Sequence, residues 1–182
     1  MVLNSMESPE HMRSVVLFMA PSGHEALGRL VNLVAEELQS PILVLPGFDW
    51  AAFECPLDLI LLHERFQCAV MDLADYDHIA LATSVDEYPL DRHSRWLQQL
   101  CARHAFVLSA LAGKHLSLVT VGKSALRQSS PFQGLFEQTV QMLDMHFLGG
   151  VHVPCPERFR YARAVDPVIS YIDIVQSFNV TA

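Results

Sequence analysis

The sequence is short of positive charge. Lys and Arg together number 12 against 20 Asp and Glu, a formal net charge of -8. Phosphate backbones are held by clustered cations, so nucleic acid is excluded as the main partner. A single phosphorylated ligand stays open, because backbone N–H groups can hold it without side-chain charge. Long hydrophobic runs are also missing. None approaches the roughly 20 apolar residues of a spanning helix, so no membrane span is expected. Residues 1–13 are polar, with Glu7, Glu10 and His11, and lack the basic-then-apolar order of a signal peptide. They predict a flexible start to a cytoplasmic protein. The four cysteines, Cys55, Cys68, Cys101 and Cys155, form no Cys-x-x-Cys unit and read as buried thiols in a reducing compartment. The nine histidines include no His-x-x-x-His pair. No metal site is therefore expected.

Sharper catalytic motifs are absent too. Gly122-Lys123-Ser124 ends like a P-loop, but Ser117 stands where the earlier glycine is required. Gly122-x-Ser124 lacks the closing glycine of a nucleophile elbow, because Leu126 is there. A phospho-receiver would need paired acids after the first strand, and Met19-Ala20-Pro21-Ser22 supplies none. No side-chain catalytic residue is assigned.

What is present is apolar content. At 182 residues and 51% apolar, the chain can bury one full core, and nothing in its middle reads as a linker. One domain is expected over residues 14–182. Apolar runs rich in β-branched residues mark buried strands: Val15 to Ala20, Ile42 to Leu45, His78 to Thr83, Leu116 to Val121, and a short fifth at Val151-His152-Val153. Helical stripes fall between them. Leu27, Leu30, Val31, Val34 and Leu38 form one, with Glu25 in its first turn; Leu97 to Leu111 form another. Leu59, Leu62, Phe66, Val70 and Leu73 suit a helix, although Leu57 to Leu62 also suits a strand. Ser130-Pro131 opens a helix whose buried face runs from Phe132 through Val140 and Leu143 to Phe147, with Gly149-Gly150 as its end. Asp166-Pro167 opens the last helix, carrying Val168, Ile172, Val175 and Phe178.

Strand and helix thus alternate about five times. Right-handed crossovers then give a doubly wound parallel sheet of order 2-1-3-4-5 with helices on both faces. Ligands of such sheets bind beyond the carboxyl ends of the strands. Three loops reach that rim. In Pro21-Ser22-Gly23-His24, free N–H groups and the Ser22 hydroxyl suit a phosphate. The same residues equally suit a tight turn with Ser22 as helix cap. Thr83-Ser84-Val85-Asp86-Glu87-Tyr88 is polar, and Tyr88 can stack on a planar ring, while its acids suit a ring or ribose better than a phosphate. Gly122-Lys123-Ser124 to Ser129 carries Lys123 and Arg127, which either meet an anionic cofactor or stay solvated.

Asp75-Tyr76-Asp77 leads into His78 to Thr83, Arg95-Trp96-Leu97 lies in the next expected helix, Leu111-Ala112-Gly113-Lys114 enters the fourth strand, and Met145 to Val153 steps into a valine-rich fifth. In that order they resemble the acidic lead-in and third strand, the Trp-Leu helix, the entry to the fourth strand and the step into the fifth of the flavodoxin-like NADPH-dependent FMN reductases and NAD(P)H:quinone oxidoreductases. The resemblance spans about Val15 to Pro154. It implies FMN as cofactor, NADPH or NADH as reductant, a small-molecule electron acceptor, and a homodimer. Carried onto this chain, the cofactor-binding residues are Ser22, Gly23, His24, Thr83, Ser84, Val85, Asp86, Tyr88, Gly122 and Lys123. The departures fall on the loops: the first has one hydroxyl and an acid where the family has Ser-x-Arg, the second is shortened, and the third keeps only Gly122. They motivate an alternative, a flavodoxin-like module that has lost flavin and acts through protein contacts.

Overall fold

The computed structural model describes residues 12–19, 25–45, 72–84, 110–122, 137–138, 140–154 and 161–178. Within them lie five strands: β1 (Ser14–Met19), β2 (Ile42–Leu45), β3 (His78–Ser84), β4 (His115–Gly122) and β5 (His146–Pro154). Helix α1 (Glu25–Leu38) joins β1 to β2, and α2 (Tyr161–Ser177) follows β5. The sheet order is β2-β1-β3-β4-β5, and each adjacent pair is parallel. This is the doubly wound arrangement that the alternating pattern predicts.

Near-continuous apolar strands mean that both faces of the sheet are buried. Val16, Ala80, Ala82, Val119, Val121, Val151 and Val153 face one way. Against them α1 lays Leu27, Leu30, Val31 and Val34, and α2 lays Ala164, Val168, Tyr171, Ile172 and Val175. The alternate residues Val15, Leu17, Ile79, Leu81, Leu116 and Leu118 are buried on the opposite face.

Polar groups at the strand entrances fix the register. Asp77 accepts the Arg13 backbone N–H at 2.8 Å, and the Arg13 carbonyl accepts the Asp77 N–H at 2.9 Å. The Lys114 ammonium donates to the carbonyls of Ala74 and Tyr76 at 2.8 and 2.5 Å. The acidic lead-in and the Gly-Lys step therefore have structural work at the amino edge of the sheet.

Two boundaries differ from the expectations. The helix predicted to run to Phe147 and stop at Gly149-Gly150 stops at Met142. Asp144 adopts φ 54°, its N–H donates to the Gln141 carbonyl, and the Met145 N–H reaches back to the Val140 carbonyl. That is a Schellman termination with aspartate in the glycine position, a substitution aspartate tolerates better than most residues. Gln39, at φ 52°, ends α1 in the same way, bonding Glu36 while Ser40 bonds Ala35. β5 consequently begins at His146, and the glycine pair forms a bulge. Leu116 to Leu118 of β4 oppose Phe147 to Gly150 of β5, one residue more. Gly149 takes φ 96° there, and a Cβ on Gly150 would run into the Leu118 carbonyl oxygen.

The last helix starts at Tyr161, five residues before the predicted Asp166, and carries Pro167 inside it. Proline removes the N–H that would bond the Arg163 carbonyl and costs about 3 kcal/mol in a helix interior. The buried series Ala164, Val168, Tyr171, Ile172 and Val175 runs through the proline and packs on β5 and α1. Burying such side chains stabilises by about 1.5–3 kcal/mol each, which outweighs the local cost.

Candidate functional site

The sheet order places β2 and β3 on opposite sides of β1, so the chain reverses direction across the sheet there. In open α/β sheets the crevice at such a reversal, outside the carboxyl ends of the strands, is where ligands bind. Three of the predicted cofactor residues border this edge. Thr83 and Ser84 are the last two residues of β3, and Gly122 is the last of β4. Ser84 is in register with Val121, which brings Gly122 one step beyond it. The remaining predicted residues, Ser22, Gly23, His24, Val85, Asp86, Tyr88 and Lys123, lie outside the described residues.

Thr83 and Ser84 are each 1% exposed, and neither hydroxyl has a hydrogen-bond partner among the described residues. An unsatisfied buried hydroxyl costs roughly 1–3 kcal/mol. Two at the mouth of the crevice suit a polar ligand edge, since each can donate or accept. Deeper on the face of Thr83, Thr120 pairs in register with both Thr83 and His152. Its hydroxyl donates to the Val151 carbonyl at 3.2 Å and lies 3.0 Å from His152 Nδ1.

At the mouth of the crevice, α1 presents its N-terminal end, where the helix dipole favours an anion. Glu25 already occupies the first turn. Its carboxylate is paired with the Arg29 guanidinium one turn on, so the local side-chain charge is neutralised.

The opposite, amino edge of the sheet holds polar groups that motif reasoning did not single out. His78 is fully buried, with Nδ1 3.0 Å from the Ser14 hydroxyl and Nε2 2.7 Å from that of Ser117. Ser117 in turn contacts the Tyr171 hydroxyl at 2.5 Å. Burial, then the neighbouring His115, pushes the His78 pKa down to about 4. Burial holds the Tyr171 phenol well above its usual range, partly offset by the Ser117 bond. In the structure β3, β4 and β5 all begin with histidine, a pattern hidden in the sequence because the expected fourth and fifth strands begin at Leu116 and Val151. A cleft of about 660 Å³ also opens at this edge, lined in part by Arg13, Glu37, Gln39, Tyr76 and Gln176. Of the described cofactor candidates, Thr83, Ser84 and Gly122, none lines it. Among the described residues no set of three or more His, Cys, Asp or Glu could hold a metal, and no helix is long and apolar enough to cross a membrane.

Solved structures share this architecture. The Trp repressor binding protein from Bacillus subtilis superposes with a TM-score of 0.61 at 15% identity, covering 90% of this chain and 97% of its own. The chain has a flavodoxin-like fold. An NADPH-quinone reductase from P. pentosaceus matches at a TM-score of 0.60 and 14% identity, over 89% of this chain and 96% of the other. A flavodoxin from Streptococcus pneumonia matches at 0.54 and 12%, over 91% and 98%. No protein-family model and no curated protein matches the sequence. Identities this low establish the fold and leave the chemistry to the site itself.

Proposed function

We propose that the chain is an FMN-dependent NAD(P)H oxidoreductase of the flavin- or quinone-reductase type. The observation that carries this reading is the pair of buried, unpartnered hydroxyls of Thr83 and Ser84 at the crevice mouth. They suit the heteroatom edge of a flavin ring. The α1 N-terminus and the segment Ser22 to His24 are the expected phosphate holders, with Gly122 and Lys123 the expected rim residues beyond β4. FMN, when bound, supplies the chemistry by taking a hydride from a nicotinamide and passing reducing equivalents to a small acceptor. The chain's own part is to bind, orient and shield the ring, which requires no side-chain acid or base. The names of similar structures, a quinone reductase and a flavodoxin among them, support this reading. A cytoplasmic homodimer completes it; a monomer mass by light scattering at micromolar concentration would remove the dimer.

The test is an absorbance spectrum of purified protein before and after incubation with excess FMN and desalting. Retained flavin bands, followed by bleaching with NADPH or NADH, are expected. A folded protein that stays colourless refutes the proposal and leaves the scaffold as a protein-contact module.

A further inference from the structure

Strand β2 stands at one edge of the sheet and pairs with β1 on its inner side. The Val16 N–H donates to the Pro41 carbonyl at 3.0 Å. Backbone polar groups alternate sides along a strand, so Pro41 and Leu43 turn theirs to β1 while Ile42 and Val44 turn theirs outward. Among the described residues no strand pairs with that outer row. Edges are commonly blunted by charged side chains, yet Ile42-Leu43-Val44-Leu45 carries none. Ile42 and Val44 are in register with Val16 and Phe18, on the face of the sheet that α1 covers. They nevertheless stay 37% and 57% exposed.

We propose that β2 pairs antiparallel with β2 of a second copy across a two-fold axis at Leu43, joining the two five-stranded sheets into one. The backbone selects this register. With the axis at Ile42, the Val44 carbonyl would need the N–H of Ser40, which already bonds the Ala35 carbonyl at 2.9 Å. With the axis at Val44, the Ile42 carbonyl would need an N–H from Pro46, which has none. With the axis at Leu43, Ile42 lies opposite Val44 of the partner subunit, and Val44 opposite Ile42 of the partner subunit. Each outward N–H, positive in partial charge, then meets a negative carbonyl oxygen, and no outward group is left over. This charge complementarity is a property of the strand toward its own copy, and no formal charge enters the contact. The same register sets the exposed Ile42 and Val44 of both copies side by side on the α1 face, where cross-strand β-branched pairs stabilise a sheet. Pro41 and Pro46 confine the pairing to a short stretch, so the interface is small and the association reversible. The inference rests on the homodimer of the proposed function and gives it an interface in which flavin takes no part.

The test is light scattering of the full chain across the micromolar range, where a monomer–dimer equilibrium is expected. Val44→Lys, at an exposed side chain, should weaken the dimer at least about tenfold while circular dichroism stays that of wild type. Cysteine cross-linking reads the register without disrupting the edge. Opposed residues of a non-hydrogen-bonded antiparallel pair have Cα atoms about 4.5 Å apart, within reach of a disulfide. Leu43→Cys treated with a thiol oxidant should therefore give a covalent dimer, with wild type as the control for the native cysteines. Ile42→Cys and Val44→Cys should not, because each lies opposite a different residue. A wild type that stays monomeric throughout would overturn this interface and the homodimer together. A dimer that Val44→Lys leaves intact, or cross-linking that does not favour Leu43→Cys, would overturn the interface and leave the homodimer standing.

Discussion

Acidification should destabilise the fold through His78 alone by an amount that the structure fixes. The side chain is fully buried and neutral, with a pKa of about 4 against 6.5 in the unfolded chain. Above pH 6.5 the ring is neutral in both states and contributes no pH dependence. Between 6.5 and 4 the unfolded chain takes up a proton that the folded state refuses, so stability falls as pH falls. The slope approaches 1.4 kcal/mol per pH unit, and the whole window is worth about 3 kcal/mol. From pH 7 to pH 5 the loss is about 2 kcal/mol. His78→Gln keeps a donor and an acceptor in the site but cannot titrate. Urea unfolding of both proteins at pH 7 and 5, with chelator present, isolates the contribution. Wild type should lose about 2 kcal/mol more than the variant. Equal losses, or an NMR midpoint for His78 near 6.5, would refute the reasoning.

Four further outcomes follow from other parts of the molecule. Gly150→Ala should lower unfolding free energy by about 2 kcal/mol or more, read by urea unfolding, because the new methyl meets the Leu118 carbonyl oxygen. Pro167→Ala should raise the melting temperature, restoring a helical N–H in mid-helix at a gain of about 1–3 kcal/mol after unfolded-chain entropy is counted. Thr83→Val should stabilise the flavin-free protein by about 1 kcal/mol in urea, since it removes an unpartnered hydroxyl, and should weaken FMN binding measured by fluorescence quenching. Glu25→Gln should tighten FMN two- to fivefold by the same titration, as removing a carboxylate from the end of α1 is worth about 0.3–1 kcal/mol to an incoming phosphate.

The scaffold was legible because its strands are buried on both faces. Val15-Val16-Leu17 and Leu116 to Val121 can be nothing else in a chain whose intervening segments show helical spacing. The misplaced boundaries have specific causes. Glycine and proline punctuate by local rules, but at 149–150 and 167 tertiary contacts decide instead. Two αL terminations use Asp144 and Gln39 rather than glycine, and neither leaves a sequence signature. Pro167 is carried inside a helix because five apolar residues on one face hold that helix to the sheet. In the site, Thr83, Ser84 and Gly122 were legible from their place at strand ends. Their burial was not, because it is set by tertiary packing and not by local sequence.

The distribution of polar groups along the strands separates two roles that composition alone merges. At the amino edge half-buried Ser14 and buried His78, Ser117 and Tyr171 form a chain in which each side chain is partnered by another. Removing one member leaves its neighbour unpartnered, so this network acts on stability and on the docking of α2. At the carboxyl edge Thr83 and Ser84 are equally buried and lack described partners. A fold that satisfies four groups at one end of its sheet has no physical reason to strand two at the other. On the proposed flavin reading the asymmetry has a use: groups held for a ligand lower folding stability and return it as affinity when the ligand arrives. FMN addition should therefore raise the melting temperature of wild type by more than that of Thr83→Val. Equal shifts would mean that the hydroxyl faces something other than the ligand.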